Sequence, residues 1–241
     1  MALATDIGLS LATVLHRQVD HIASNLANMN TPGYQGGKMI FAEHLLKSQD
    51  TGASFVGDYA TTRTLQPGAP FFTGDPLHVA IKGSGYFAVE TPAGVRFTRN
   101  GGFSLNAEGV LVTQDGYPVL SSGLGPITVP AEIQKIEISP DGTISSEQGI
   151  IDNLGVFNFE NEYAMRYESG TLLATDEEPL VNPDIQVAQG SLENANVNAI
   201  EQTVNLQQIL TSYQGVQKLI QEQNHMRSQA TQQLLKTGAA I

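Results

Sequence analysis

Apolar side chains recur every seven residues near the start of the chain, at Leu15, Ile22 and Met29, with Ala12, Val19 and Leu26 in a second row beside them. That spacing keeps them on one face of a helix. The stripe runs into Asn30-Thr31-Pro32-Gly33. Proline lacks a backbone donor and disfavours helical geometry in the residue before it, so the pattern predicts a helix from Ile7 that stops near Asn30. A single helix of this length is marginal in water and needs a partner. The comparable stripe lies at the other end, where Leu206, Tyr213, Ile220 and Leu234 keep a seven-residue register interrupted by Arg227, flanked by Ile209, Val216 and Ala230. Ser191 to Asn198 is rich in side chains that bond local backbone, as a loop and helix N-cap require, and a second helix is predicted from there to about Lys236. The two helices are expected to pair as a coiled-coil-like domain.

Between the helices the period changes. Residues 35–70 are polar and glycine-containing, and read as an extended connector with a short helix possible at the apolar patch Met39 to Leu46. From Phe71 short apolar runs alternate with turn signals: Leu77 to Ile81, Tyr86 to Val89, Val95 to Arg99, Val110 to Val112, Pro118 to Leu120, Ile127 to Val129 and Ile136 to Ile138. Further strands are predicted at Ile150 to Phe159, Met165 to Glu168, Leu172 to Thr175 and Ile185 to Ala188. Polar residues alternate with apolar ones in Lys135 to Ser139, which leaves one face wet, as in an antiparallel sheet. The expected fold class is α+β, with 1–34 and 191–241 as a terminal helical domain, 35–70 as the connector and 71–190 as a central antiparallel β domain. Because the turns and the alternation are local, Phe71 to Gly190 is expected to fold without the ends.

The charge distribution sharpens this division. Of the net charge of −12, residues 1–35 carry −1 (Arg17 against Asp6 and Asp20) and residues 196–241 carry +1 (Lys218, Arg227 and Lys236 against Glu201 and Glu222). The acidic excess is therefore all in the middle, and no basic block is present to recruit nucleic acid or an anionic membrane. Without cysteine there are no disulfides and no thiolate metal sites. No apolar run reaches the length of a membrane span, and the start lacks the basic and continuous apolar segments of a secretory signal.

Candidate chemistry is sparse. Lys82-Gly83-Ser84-Gly85 lacks the spacing of a phosphate loop and precedes a strand, so it reads as a hairpin turn. Asp176-Glu177-Glu178 is followed by Pro179 and reads as a solvated turn. His16 and His21 are five apart and do not form the i, i+4 pair of a zinc helix. No nucleophile motif occurs. No catalytic, cofactor-binding or metal-binding residue is assigned, and no enzyme activity is expected. The residues expected to carry function are those of the helical stripes: Leu15, Ile22, Leu26, Met29, Leu206, Ile209, Tyr213, Val216 and Ile220.

The segment Ser24-Asn25-Leu26-Ala27-Asn28-Met29-Asn30-Thr31-Pro32-Gly33-Tyr34 resembles the N-terminal signature of the bacterial flagellar rod and hook proteins. Leu192-Glu193-Asn194-Ala195-Asn196-Val197-Asn198 resembles their C-terminal pattern. Gly83 to Val89, Phe97 to Phe103 and Gly109 to Val112 resemble the β domain of the same family, so the likeness extends over nearly the whole chain. The motif residues are Asn25, Asn28, Thr31, Pro32, Gly33, Tyr34, Asn196, Val197 and Asn198. Length and the single β domain are most similar to the proximal-rod members, with the distal-rod members next. Two positions depart from the pattern: His78, where the family often has Asp, and Thr211-Ser212-Tyr213-Gln214, where Arg-Ala-Tyr-Glu is common. The resemblance implies a structural subunit without cofactors, exported by the flagellar type III apparatus. It further implies that the subunit polymerises with other rod proteins in the periplasmic space into a hetero-oligomeric torque-transmitting shaft. The rival readings are a phage-tail-like protein, which would lack the paired end stripes, and a glycan-binding or glycan-cleaving β protein, whose catalysis would need a cleft with two carboxylates.

Overall fold

The computed structural model describes residues 2–48, 51–130, 132–133, 135–181 and 186–238. The chain divides into two units, one made of Met1–Ala27, Gly37–Thr62 and Asn198–Ile241, the other of Asn28–Gly36 and Arg63–Val197. The fold is α+β, with a helix from each end of the chain and a β-rich centre. Among the described residues no helix is long and apolar enough to cross a membrane.

In the first unit, helix α1 spans Ala2–Ala27 and helix α2 spans Ala199–Gly238. They pack through a small apolar seam in which Ala12, Leu15 and Val216 are buried and Leu11, Ile209, Tyr213 and Ile220 are partly buried. The helices run antiparallel: an added methyl on Gly8 would lie 3.2 Å from Ile220 Cγ1, and the rings of His16 and Tyr213 are 6.4 Å apart. Helix α1 ends three residues before the expected stop. At that point the Thr31 amide bonds the Asn28 carbonyl at 3.0 Å and the chain turns, which leaves Met29 outside the helix. Helix α2 starts where Asn198 caps it, its Oδ1 accepting from the amides of Ile200 at 3.1 Å and Glu201 at 3.3 Å.

Residues 35–70, expected as a connector with a short helix at 39–46, instead carry two long strands, Gly37–Ser48 and Thr51–Arg63, paired as a two-stranded sheet. Pairing with the next strand overrode the helical reading of the apolar patch. The second strand supplies a partner rich in Thr, Val and Tyr, residues that favour extended backbone.

The second unit is built on a six-stranded antiparallel sheet in which Tyr86–Thr91 and Gly94–Thr98 are central neighbours. Strand Tyr86–Thr91 is buried on both faces. Phe87 and Val89 enter one cluster with Val79, Val119 and Ile127, while Tyr86 and Ala88 enter another with Phe97, Phe157 and Leu173. Two-sided burial is the reason this stretch reads as a continuous apolar run with no alternation. The strands expected at 118–120 and 127–129 appear as isolated bridges, Val89 to Val119, Leu120 to Pro126 and Val110 to Thr128. Pro118, Pro126 and Pro130 remove the donors that a continuous ladder would need there.

Candidate assembly site

Of the stripe residues, the first unit brings Leu15, Ile209, Tyr213, Val216 and Ile220 together in the seam between α1 and α2. Ile22 is also buried on α1, Leu26 and Leu206 are half-buried, and Met29 lies in the turn beyond α1. The seam leaves much apolar surface uncovered. Leu9 is 62% exposed, Ile200 79%, Val204 47%, Leu219 61% and Met226 59%.

Asn25 of the signature is buried in this unit and fastens α1 to the first strand. Its Nδ2 donates to the Gly37 carbonyl at 3.0 Å and its Oδ1 accepts from the Gly37 amide at 3.1 Å. An amide side chain can make both bonds at once because it carries donor and acceptor side by side. A Cβ at Gly37 would lie 2.4 Å from His21 Cε1, so a larger residue there would have to displace the His21 ring.

The other motif residues except Asn198 belong to the second unit, where both motifs converge on one buried ion pair. Arg99 donates from Nε to Glu193 Oε2 at 2.8 Å, and the side chains are 2% and 3% exposed. Arg99 also donates from Nη1 to the Gly85 carbonyl and from Nη2 to the Gly83 carbonyl, both at 2.9 Å. The turn once comparable to a phosphate loop thus presents carbonyl oxygens to a guanidinium, the opposite of anion binding. Glu193 accepts from the Gly68 amide at its Oε1, and its own carbonyl accepts from the Gly33 amide at 2.8 Å. Gly33 has φ +69°, and a Cβ there would lie 2.4 Å from the Arg99 carbonyl carbon. Asn196 completes the closure: its Oδ1 accepts from the Gly36 amide, and its Nδ2 donates to the carbonyls of Thr64 and Gln66. Asn28 and Thr31 form the turn, Pro32 and Val197 are half-buried, and Asn198 caps α2.

Tyr34 stacks on Tyr167 at 5.5 Å, and the Tyr167 hydroxyl is held by Gln35, donating to its carbonyl and accepting from its amide, both at 3.0 Å. Burial pushes the Tyr167 phenol up to about 12, although the Gln35 amide and the Arg63 charge pull the other way. Burial also raises Tyr86, whose hydroxyl donates to Glu162 Oε2 at 2.9 Å. Arg63 donates to Gln35 Oε1 at 2.7 Å and to the Glu162 carbonyl, and its guanidinium lies 6.0 and 5.9 Å from the ring centres of Tyr86 and Tyr167. Its charge is thus met by π faces as well as oxygens.

Three family profiles match in order. Residues 13–35 match the flagella basal body rod protein, 80–146 the flagellar hook protein FlgE/F/G D1 domain, and 188–233 the flagellar basal body rod FlgEFG protein C-terminal region. The flagellar basal-body rod protein FlgF of Rhizobium meliloti is 34% identical, over 90% of this chain and 91% of its own length. The chain belongs to the flagellar basal-body rod protein family. FlgF of Caulobacter vibrioides is 31% identical over 95% of this chain and 97% of its own. The rod protein FlgG of Buchnera aphidicola subsp. Acyrthosiphon pisum is 28% identical over 88% and 92%. Membership makes this chain a structural subunit of the flagellar basal-body rod, one that assembles with other rod proteins.

Within this rod protein, sequence reasoning singled out the signatures as family marks without seeing their joint role. Arg99 and Glu193 stood inside the quoted motifs, yet no local pattern pairs two residues 94 positions apart. Tyr86 stood inside the quoted run Gly83 to Val89, but Gln35, Arg63 and Tyr167 were not singled out. Their one detectable signal is a charged or amide residue beside strand-forming segments, which is too common to point to a site. Asp176, Glu177 and Glu178 lie in a turn region where Glu177 accepts from the Asn161 amide at 3.2 Å. Among the described residues no group of three His, Asp or Glu side chains is placed to hold a metal.

Proposed function

We propose that this rod subunit is of the proximal, FlgF type and polymerises in the periplasmic space through α1 and α2, after export by the flagellar type III apparatus. In this reading neighbouring proximal-rod subunits and the distal-rod protein FlgG are its partners, and it has no catalytic role. The observation that carries the reading is the uncovered apolar surface of Leu9, Ile200, Val204, Leu219 and Met226 beside a seam of only a few buried side chains. Exposed apolar area of that kind marks a surface completed by another protein.

The test compares two substitutions on α1. Ile22 is buried and Gln18 half-buried, so Ile22→Asp places an unpaired charge in the helical unit while Gln18→Asp leaves it near solvent. Ile22→Asp is expected to abolish incorporation into rods and swimming, and Gln18→Asp to leave both close to wild type. Equal incorporation of the two variants would remove the role assigned to the helices.

A further inference from the structure

We propose that the buried Arg99–Glu193 pair is a folding gate: the whole second unit closes only when the segment Ser191 to Val197 has arrived to neutralise Arg99. Arg99 follows directly on the central strand Gly94–Thr98, and its side chain is 2% exposed. Two carbonyl oxygens, those of Gly83 and Gly85, solvate it from the hairpin turn, but they carry no charge. Among the described residues Glu193 alone supplies the countercharge, through bonds of 2.8 Å. A buried cation that loses its partner is far costlier than the same cation in water.

Glu193 is not held by Arg99 alone. Its segment pairs with Pro70–Phe72, its second carboxylate oxygen takes the Gly68 amide, and its carbonyl takes the Gly33 amide. The N-terminal signature, the segment after Arg63 and the C-terminal signature are therefore joined at one residue, Glu193, through its backbone carbonyl and its carboxylate. The expectation that Phe71 to Gly190 folds alone does not allow for this pair, since that segment contains Arg99 and lacks Glu193. A chain that has not yet delivered residue 193 keeps an unpaired buried charge beside its central strand, and stays open.

The experiment uses the full-length chain and amide hydrogen exchange. Glu193→Ala is expected to lower protection by roughly a hundredfold or more, not only at Gly68, whose amide loses its carboxylate acceptor, but throughout strands Tyr86–Thr91 and Gly94–Thr98. The double variant Arg99→Met with Glu193→Leu, which removes the charge and the countercharge together, is expected to restore protection to the two central strands. As a comparison, Arg96→Met breaks the more exposed Arg96–Glu168 pair and should change protection little. If Glu193→Ala loosens only the amides around Gly68 and residue 193 and the central strands keep wild-type protection, the pair is a local latch and the gate is wrong. It is equally wrong if the double variant remains as open as Glu193→Ala.

Discussion

Two arginines three positions apart show how burial sets the worth of the same interaction. Arg96 pairs with Glu168, holding that carboxyl below its usual range by hydrogen bonding and charge, but the carboxylate is exposed and solvent screens the contact. Arg99 is sealed from solvent, so its pairing decides whether the surrounding backbone can be buried at all. Tyr167 gives the clearest pH signature of that sealing. Its phenol titrates near 10 in an unfolded chain and near 12 in the fold. Because the folded value is the higher one, its contribution to stability is fully present below pH about 10 and is lost as pH rises toward about 12. A displacement of this size corresponds to about 3 kcal/mol at most, less where solvent reaches the half-buried ring. Urea unfolding followed across this range should show stability falling, and Tyr167→Phe should flatten the fall while costing the two bonds to Gln35.

At the scale of elements, helix α2 has a well-defined beginning and a thin hold along its length. Asn198 satisfies two of the amides that any helix start leaves open. Asn198→Ala should therefore destabilise the helical unit by about 1 kcal/mol, seen as a lower thermal midpoint of the helical circular dichroism signal, while Asn198→Asp or Ser should retain most of it. Beyond the cap, α2 touches α1 through Ile209, Tyr213, Val216 and Ile220, spaced by four, three and four residues. That spacing is the stripe seen in the sequence, now on one seam. Strand Tyr86–Thr91 behaves differently, since both its faces are covered and no alternation marks them.

At the scale of the whole molecule, the ten glutamines between Glu201 and Gln233 fit a helix meant to meet several unlike neighbours. Neutral amides donate and accept without the desolvation cost of charges. A lone helix pair would carry more Lys and Glu on its outer face for solubility. Removing the chain from Gln202 onward takes away this surface but keeps Glu193 and Asn196, so the second unit is expected to remain folded. The shortened protein should show wild-type strand content and an unchanged Tyr167 titration, yet fail to enter rods or support swimming. Rods containing the shortened chain would move the assembly energy from α2 to the β-rich unit.

The helices, the turn at Pro32-Gly33, most of the short strands and the family itself follow from the sequence because each rests on a local regularity: a seven-residue stripe, a residue that cannot bond, an apolar run between glycines. The strands of residues 37–63 did not, because pairing with the strand that follows, Thr51–Arg63, overruled the helical look of Met39 to Leu46. The bridges at 118–129 likewise depend on which donors proline removes from a ladder whose partners are set elsewhere. The signatures were legible as marks, but their physical task was decided only in three dimensions. Asn25 fastens Gly37, Gly33 leaves room for the backbone of Arg99, and Glu193 neutralises a cation far away in the chain. Periodicity records which face a residue presents; it holds no record of which charge comes to rest against which.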